Sequence, residues 1–364
     1  MLYLHKALKQ LNMGITYNNS ENSFHKELTQ AVNDYFDQTG KKRDGGIHLL
    51  CKAFVLILLA FYIYYTLVFV VSTLGSALLL SAGLGVIFAF IGFNIMHDAS
   101  HKSFSRYQWL NTIMLHTLEL MGASSTLWYK KHVIIHHTFT NTTEDDDINI
   151  APVLRIRKED KRYWYHKYQA FYAPLAYSLL YVQWVFYNDF KKYFKKHIGN
   201  HEVKFTAYEK VVFWLSKVVY FLLFIAIPIV RHGFINTLVC YAVFAMTCGL
   251  LISIIFQLAH VIHTSTFPSV NVTTGTIETP WAISQLQETS DFATKSLPLF
   301  ILLGGLNFQT VHHLFPRISH IHYPALAKIV ARISEKFGLT YNRLSFTSAL
   351  YSHFSYLHHA GNFD

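Results

Sequence analysis

Four long apolar runs limit what this 364-residue chain can become. Ala53 to Val71 holds nineteen residues without a charge, and Leu74 to Met96 another twenty-three, ending against His97. A bilayer's hydrocarbon core is about 30 Å thick and takes roughly 20 apolar residues in a helix, so both runs are long enough to span. Only Ser72 and Thr73 separate them, which predicts a tight transmembrane hairpin. A second hairpin follows. Val211 to Val230 is interrupted by Lys217 alone, and Phe234 to Ala259 is uncharged for twenty-six residues, with Arg231, His232 and Gly233 as the turn. The alternative is four buried core helices of a soluble protein. Composition speaks against it: charged residues make up 14% of the chain, whereas a soluble domain carries about a quarter. An aromatic share of 16% excludes a disordered chain. Three cysteines, two of them inside an apolar run, exclude a disulfide scaffold. The polar first fifty residues contain no short apolar segment of the kind found in a cleaved signal.

The lysines and arginines orient these spans. Of thirty-one, seven precede or open the first hairpin, sixteen lie between His97 and Lys210, and six follow the second hairpin, leaving Lys217 and Arg231. The positive-inside rule then places both termini and the central segment in the cytoplasm. The net charge of +10 is therefore mainly an orientation signal, and it also suits anionic lipid headgroups. No soluble basic module is visible, so no nucleic-acid partner is expected. Two partly apolar central stretches, Leu110 to Leu127 and Tyr168 to Tyr187, read as interfacial helices, because tyrosine and tryptophan favour the headgroup level. The second is also long enough for a re-entrant or spanning helix.

The chain has 22 histidines, and the clusters that stand out among them all fall on the side assigned to the cytoplasm. His97-Asp-Ala-Ser-His101 follows the second run, and at i, i+4 both imidazoles share a helix face. In His132-Val-Ile-Ile-His136-His137 the first two share a face, and His137, rotated by about 100°, can serve a second metal. Gln309-Thr-Val-His312-His313 is the third cluster, and His260 with His263 forms a thinner fourth at the end of the last run. One such pair is a weak signal, but three on one membrane face point to metal. Imidazole alone does not choose the metal. A catalytic zinc takes three protein ligands and a water, so eight clustered histidines match two metals with open positions.

The strings GFNIMHDASHKSFS, WYKKHVIIHHTFTN and LNFQTVHHLFP closely resemble the three histidine boxes of membrane fatty acid desaturases. The nearest resemblance is to bacterial acyl-CoA (linoleoyl-CoA type) and front-end desaturases, in which Gln opens the third box. AHVIHTSTFP, WAISQLQETSDFATKS and RISHIHYPALAKIV extend the likeness over residues 50–350 or so. The resemblance implies an all-α integral membrane protein, with four transmembrane helices in two hairpins and a cytosolic helical cap holding a non-haem di-iron centre. Residues 1–50 would be a cytosolic segment and 51–364 the desaturase domain, with spans near 53–71, 74–96, 211–230 and 234–259. Two irons would activate O₂ with two supplied electrons and leave a cis double bond in an acyl chain. The implied iron ligands are His97, His101, His132, His136, His137, His260, His312 and His313.

Gln309 is expected to tune a ligating imidazole rather than bind metal, because an amide oxygen is a poor iron ligand. Asp98 either orients an imidazole N–H or pairs with a basic residue. Asp145, Asp146 and Asp147 form either a solvated turn or, through one of them such as Asp147, support for the metal site. His263 is expected not to bind iron, since His260 holds the matching position. Three positions depart from relatives, which often carry an acidic residue at His263, Glu at Val311 and His at Ser284. Trp128, Tyr129 and Trp281 are candidates for the acyl tunnel, with packing or interfacial anchoring as the alternative. Arg155 and Arg157, with Lys130, Lys131 and Lys158, could meet a phosphate of CoA or phospholipid, or could be plain basic surface. His5, His25 and His48 lie in a segment without a His-Pro-Gly-Gly haem signature, so a separate electron donor is expected, a ferredoxin or cytochrome b5. The implied location is a bacterial inner membrane. The alternatives are a di-iron membrane hydroxylase with the same boxes and a histidine-rich membrane metal transporter. The transporter reading expects ionisable residues within the spans, where Lys217 alone qualifies.

Overall fold

A computed structural model describes residues 15–271 and 273–363; His5 and the start of the expected N-terminal segment lie outside them. Four helices among the described residues are long and apolar enough to cross a membrane: Gly46–Val70, Leu74–Ser100, Ala207–His232 and Phe234–His260. Each extends beyond its apolar run at the end away from the hairpin turns. The third starts at a capping box, in which the Thr206 hydroxyl accepts from the Glu209 amide and the Glu209 carboxylate accepts from the Thr206 amide. Thr73 caps the second helix by accepting from the Ser76 amide. Gly233, at φ 78°, turns the chain between the third and fourth in a conformation that disfavours a side chain. Phe61, Leu79 and Val230 are 72%, 75% and 85% exposed on the outer faces, where lipid takes the place of water.

The two hairpins are tied together at their turns. Tyr64 donates to the Leu223 carbonyl and His232 Nε2 to that of Val68. Inside, glycine permits close approach. A Cβ on Gly85 would stand 2.5 Å from the Phe244 carbonyl of the fourth span, and one on Gly249 would stand 2.5 Å from that of Ser178. Ser178 belongs to the helix Gln169–Gln183, which packs along the fourth span through buried Ala173, Tyr177 and Tyr181. Its other face exposes Phe171, Leu175 and Leu179.

Opposite the turns, a helical layer covers the span ends. Its core joins Phe24, Leu28, Val32 and Phe36 of the helix Ser23–Thr39 to Leu286, Val311, Tyr323, Leu326 and Val330. Residues 23–39 thus share a core with the third histidine box, and the expected boundary at residue 50 falls inside the first spanning helix. The described strands are three short pairs. Thr16–Tyr17 runs parallel to Thr276–Ile277, His197–Ile198 antiparallel to His201–Glu202, and Asp291–Phe292 parallel to Arg343–Leu344. The last pair anchors the segment before the third box.

Candidate metal centre

The second spanning helix loosens into a π-turn at Gly92–Met96 and tightens again over His97–Ser100, delivering His97 and His101 below the cap. The second box is itself π-helical over Tyr129–His136. Such turns are rare and cluster at functional sites. The short helix Gln309–Leu314 carries the third box, and His260 ends the fourth span. All eight histidines are buried.

They fall into two groups whose ring nitrogens lie within 4.8 Å of one another: His97, His101, His132 and His312 in one, His136, His260 and His313 in the other. His137 lies between them, its ring centroid 4.3 Å from His313 and 4.6 Å from both His101 and His312. His132 and His136 do stack, at 5.1 Å. Yet they join different groups, because one turn along the helix carries the second imidazole from the first group to the next.

Four of the eight rings are held from behind. His132 Nδ1 donates to Asp147 Oδ2 and His136 Nδ1 to Asp145 Oδ2, each at 2.8 Å. His313 Nδ1 donates to Gln285 Oε1 at 2.7 Å, and His312 Nδ1 meets the Tyr323 hydroxyl at 3.0 Å. Gln285 is held in turn by Glu288, which accepts from its amide at 3.2 Å. With Nδ1 occupied, the Nε2 lone pairs are available to the interior, the arrangement that fixes tautomer and orientation in histidine metal sites. Nε2 of His101, His136 and His313 and Nδ1 of His137 are buried without a protein partner. Nε2 of His132 faces that of His97 at 3.3 Å, and Nε2 of His312 faces that of His137 at 3.0 Å.

Burial and neighbouring imidazoles hold His137, His312 and His313 well below the usual histidine range. Burial takes His132 down to about 3 despite Asp147. Burial also opposes charge on His136, but Asp145 outweighs it and raises that pKa. Neutral rings are the metal-binding form. Buried, converging nitrogens with oriented lone pairs fit transition metal, and two groups fit two ions.

A cavity of about 620 Å³ reaches this site. Phe93, Met96, Met121, Ile255, Phe256 and Leu306 line its apolar part, His97, His132 and Gln309 its inner end, and Lys191, Lys195 and His197 a more polar side. Trp128 is on its wall and stacks on His132 at 4.4 Å and 18°.

A family model described as fatty acid desaturase matches residues 72–345. The chain belongs to the fatty acid desaturase family. It is 32% identical to an sn-1 linoleoyl-lipid 6-desaturase of Arthrospira platensis, over 92% of this chain and 91% of that protein. It is 32% identical to an acyl-lipid (8-3)-desaturase of Physcomitrium patens, over 95% of this chain and 74% of that one. An sn-1 linoleoyl-lipid 6-desaturase of Synechocystis sp. matches at 29%, over 93% and 95%. The protein is thus a desaturase, an oxidoreductase of lipid metabolism embedded in membrane.

Placement of the remaining candidates in this desaturase is mixed. Gln309 Nε2 lies 2.9 Å from His260 Nε2, so the amide meets an imidazole. His263 is exposed and meets Ser355 on the C-terminal helix, 3.1 Å away, outside both groups. Asp98 accepts from His320 Nδ1 at 3.0 Å and from the Ser319 hydroxyl at 2.9 Å, tying the first box to the chain beyond the third. Asp145 and Asp147 support histidines, and Asp146 binds Lys192; the three are no solvated turn. Tyr129 is half-buried and is not on the cavity wall. Trp281 donates to the His137 carbonyl at 3.2 Å and packs on His25, away from the cavity.

Arg155 and Arg157 are not surface groups. Arg155 is 4% exposed and donates to the carbonyls of Lys158, Asp160 and Phe363; Arg157 is 5% exposed and binds the Thr142 carbonyl and Asp160. Arg155 thereby pins its loop to the C-terminus, and Arg157 ties the same loop to Thr142. Of the basic candidates Lys131 lines the cavity, but it is bound to Asp147, and Lys130 donates to the Lys204 carbonyl. Nothing in the sequence singles out Gln285, Tyr323 and Glu288. Gln285 and Glu288 lie in WAISQLQETSDFATKS and Tyr323 in RISHIHYPALAKIV, but neither string shows which histidine its residues meet.

Proposed function

We propose that this desaturase introduces a cis double bond into a lipid-linked acyl chain, with O₂ and two externally supplied electrons, at a pair of irons held by His97, His101, His132, His136, His137, His260, His312 and His313. The observation that carries this reading is the pairing of two buried histidine groups with a cavity that opens onto His97 and His132 of the first group and carries a stretch of apolar wall. Bound iron would supply the oxidising power that cleavage of an unactivated C–H bond requires, which no side chain has. The chain's own residues do the rest. Asp145, Asp147, Gln285 and Tyr323 keep the imidazoles oriented, and the apolar wall holds the acyl tail and excludes water.

The names of the Arthrospira and Synechocystis relatives specify linoleoyl-lipid substrates, which favours a lipid carrier over CoA. The distribution of lysine and arginine supports a cytoplasmic position for the termini and the histidine end, as in a bacterial inner membrane, with a ferredoxin or cytochrome b5 as donor on that face. The test is expression in a host lacking polyunsaturated lipids, with single fatty acids fed and products located by mass spectrometry, alongside metal analysis of purified protein. New double bonds and two irons per chain are expected. A hydroxylated product without a new double bond, or zinc in place of iron, would overturn the reading.

A further inference from the structure

Lys217 lies in the third spanning helix, is 8% exposed, and serves no role described so far. Its ammonium group is fully engaged. It donates to Asp189 Oδ2 at 2.8 Å, to the Gly122 carbonyl at 2.6 Å and to the Val185 carbonyl at 3.1 Å. Phe190 and Phe213 flank it. A cation at this depth is costly and persists where its position matters.

Each partner leads to the cavity. Asp189 is 1% exposed; its Oδ2 also accepts from the Ser124 amide at 2.8 Å, and its Oδ1 accepts from Trp184 Nε1 at 3.1 Å. Trp184 is on the cavity wall, its ring 5.5 Å from Trp128, the residue stacked on His132. Gly122 and Ser124 follow Met121, another wall residue, whose carbonyl accepts from Tyr181. The strand of chain from Met121 to Ser124 is thus bolted at three successive points just before the second histidine box. A hydrophobic pair would pack in the same space without that directionality.

We propose that Lys217 and Asp189 are positioning residues that fix Trp184 and Met121 against the acyl chain, and so set which pair of methylenes lies at the metal site. This inference rests on the desaturase reading above and adds to it a determinant of double-bond position. A displacement of about 1 Å at a reacting centre changes rates by orders of magnitude, so a loosened wall admits neighbouring registers.

Two variants test it. Lys217→Met/Asp189→Leu removes both charges and leaves neither one orphaned; Trp184→Phe keeps the ion pair and the ring packing but deletes the N–H. Products of a single fed fatty acid are resolved by double-bond position, and 5-fluorotryptophan ¹⁹F spectra are taken of metal-free protein. Both variants are expected to lower the ratio of major to minor positional isomers by about tenfold. The Trp184 resonance, assigned from Trp184→Phe, is expected to be one line in the wild type and broadened or split in the double variant. If both variants fold and yield the wild-type isomer alone, the pair is merely structural and the proposal is overturned. If the double variant does not fold, Trp184→Phe decides by the same isomer ratio. A wild type that forms no double bond overturns the functional reading instead, and the ¹⁹F line then still shows whether the pair fixes Trp184.

Discussion

His132, His136, His312 and His313 owe their orientation to the groups behind them. Asp145 and Asp147 each hold one imidazole by a 2.8 Å hydrogen bond in a buried setting. Asp145→Ala is therefore expected to lower iron affinity by about 10- to 100-fold while leaving all eight proposed ligands in place, measurable by metal analysis across a chelator series. His260→Ala should remove iron, and His263→Ala should leave the content unchanged, since His263 is turned to Ser355; iron loss in the His263 variant alone would reverse that assignment. At this scale the eight histidines were legible in the sequence because their spacing is local. Their supports were not. Asp145 is nine residues from His136, but Gln285 is 28 from His313, and only the packed cap brings such pairs together. Arg155 and Arg157 show the reverse failure: a basic string reads as surface, and the carbonyls that bury it come from residues as distant as Phe363.

Secondary-structure elements were read well where hydropathy decides and poorly where a helix changes pitch. The four spans follow from apolar length alone. The π-turns at Gly92–Met96 and Tyr129–His136 leave no apolar period to detect, and the second of them carries His132 and His136, which fall in separate groups. The close contacts between spans carry their own test. With a Cβ on Gly249 standing 2.5 Å from the Ser178 carbonyl, Gly249→Val should force the helix Gln169–Gln183 away and destabilise the fold by about 1–3 kcal/mol, seen as a lower melting point in detergent. The Asp291–Phe292 strand offers a pH signature. Burial drives Asp291 up to about 7, although the Tyr341 hydroxyl and the Thr310 amide bond to it. An acid whose folded pKa exceeds its unfolded value holds its proton more tightly in the native state. Its contribution is thus largest below pH ~4, declines as pH rises toward 7, and is flat above. The stability difference between wild type and Asp291→Asn should change over that window alone, and a constant difference from pH 4 to 7 would show that Asp291 is ionised throughout.

For the whole molecule, charge and cavity meet at one end. Lysine and arginine are scarce at both hairpin turns and abundant at the histidine end, the asymmetry behind the proposed orientation, and cations gather around the polar side of the cavity. Four lysines line that side. Lys131 and Lys192 are bound to Asp147 and Asp146, while Lys191 and Lys195, one turn apart on the helix Asp189–Lys195, are exposed and face no carboxylate within ion-pair distance among the described residues. A carrier that leaves its headgroup there while its tail reaches His97 and His132 would gain from an anionic group, a phosphodiester above all. Exposed charges act through a screened field, so the effect belongs to binding rather than to the chemical step. Lys191→Gln/Lys195→Gln is accordingly expected to raise KM severalfold for acyl chains on phosphate-bearing lipid at low salt, with kcat unchanged. The difference should vanish at high salt, and neutral glycolipid substrates should show none. An equal loss on every substrate that is relieved by more electron donor would assign these lysines to donor docking. An unchanged KM on all carriers would leave the apolar channel as the sole source of substrate affinity.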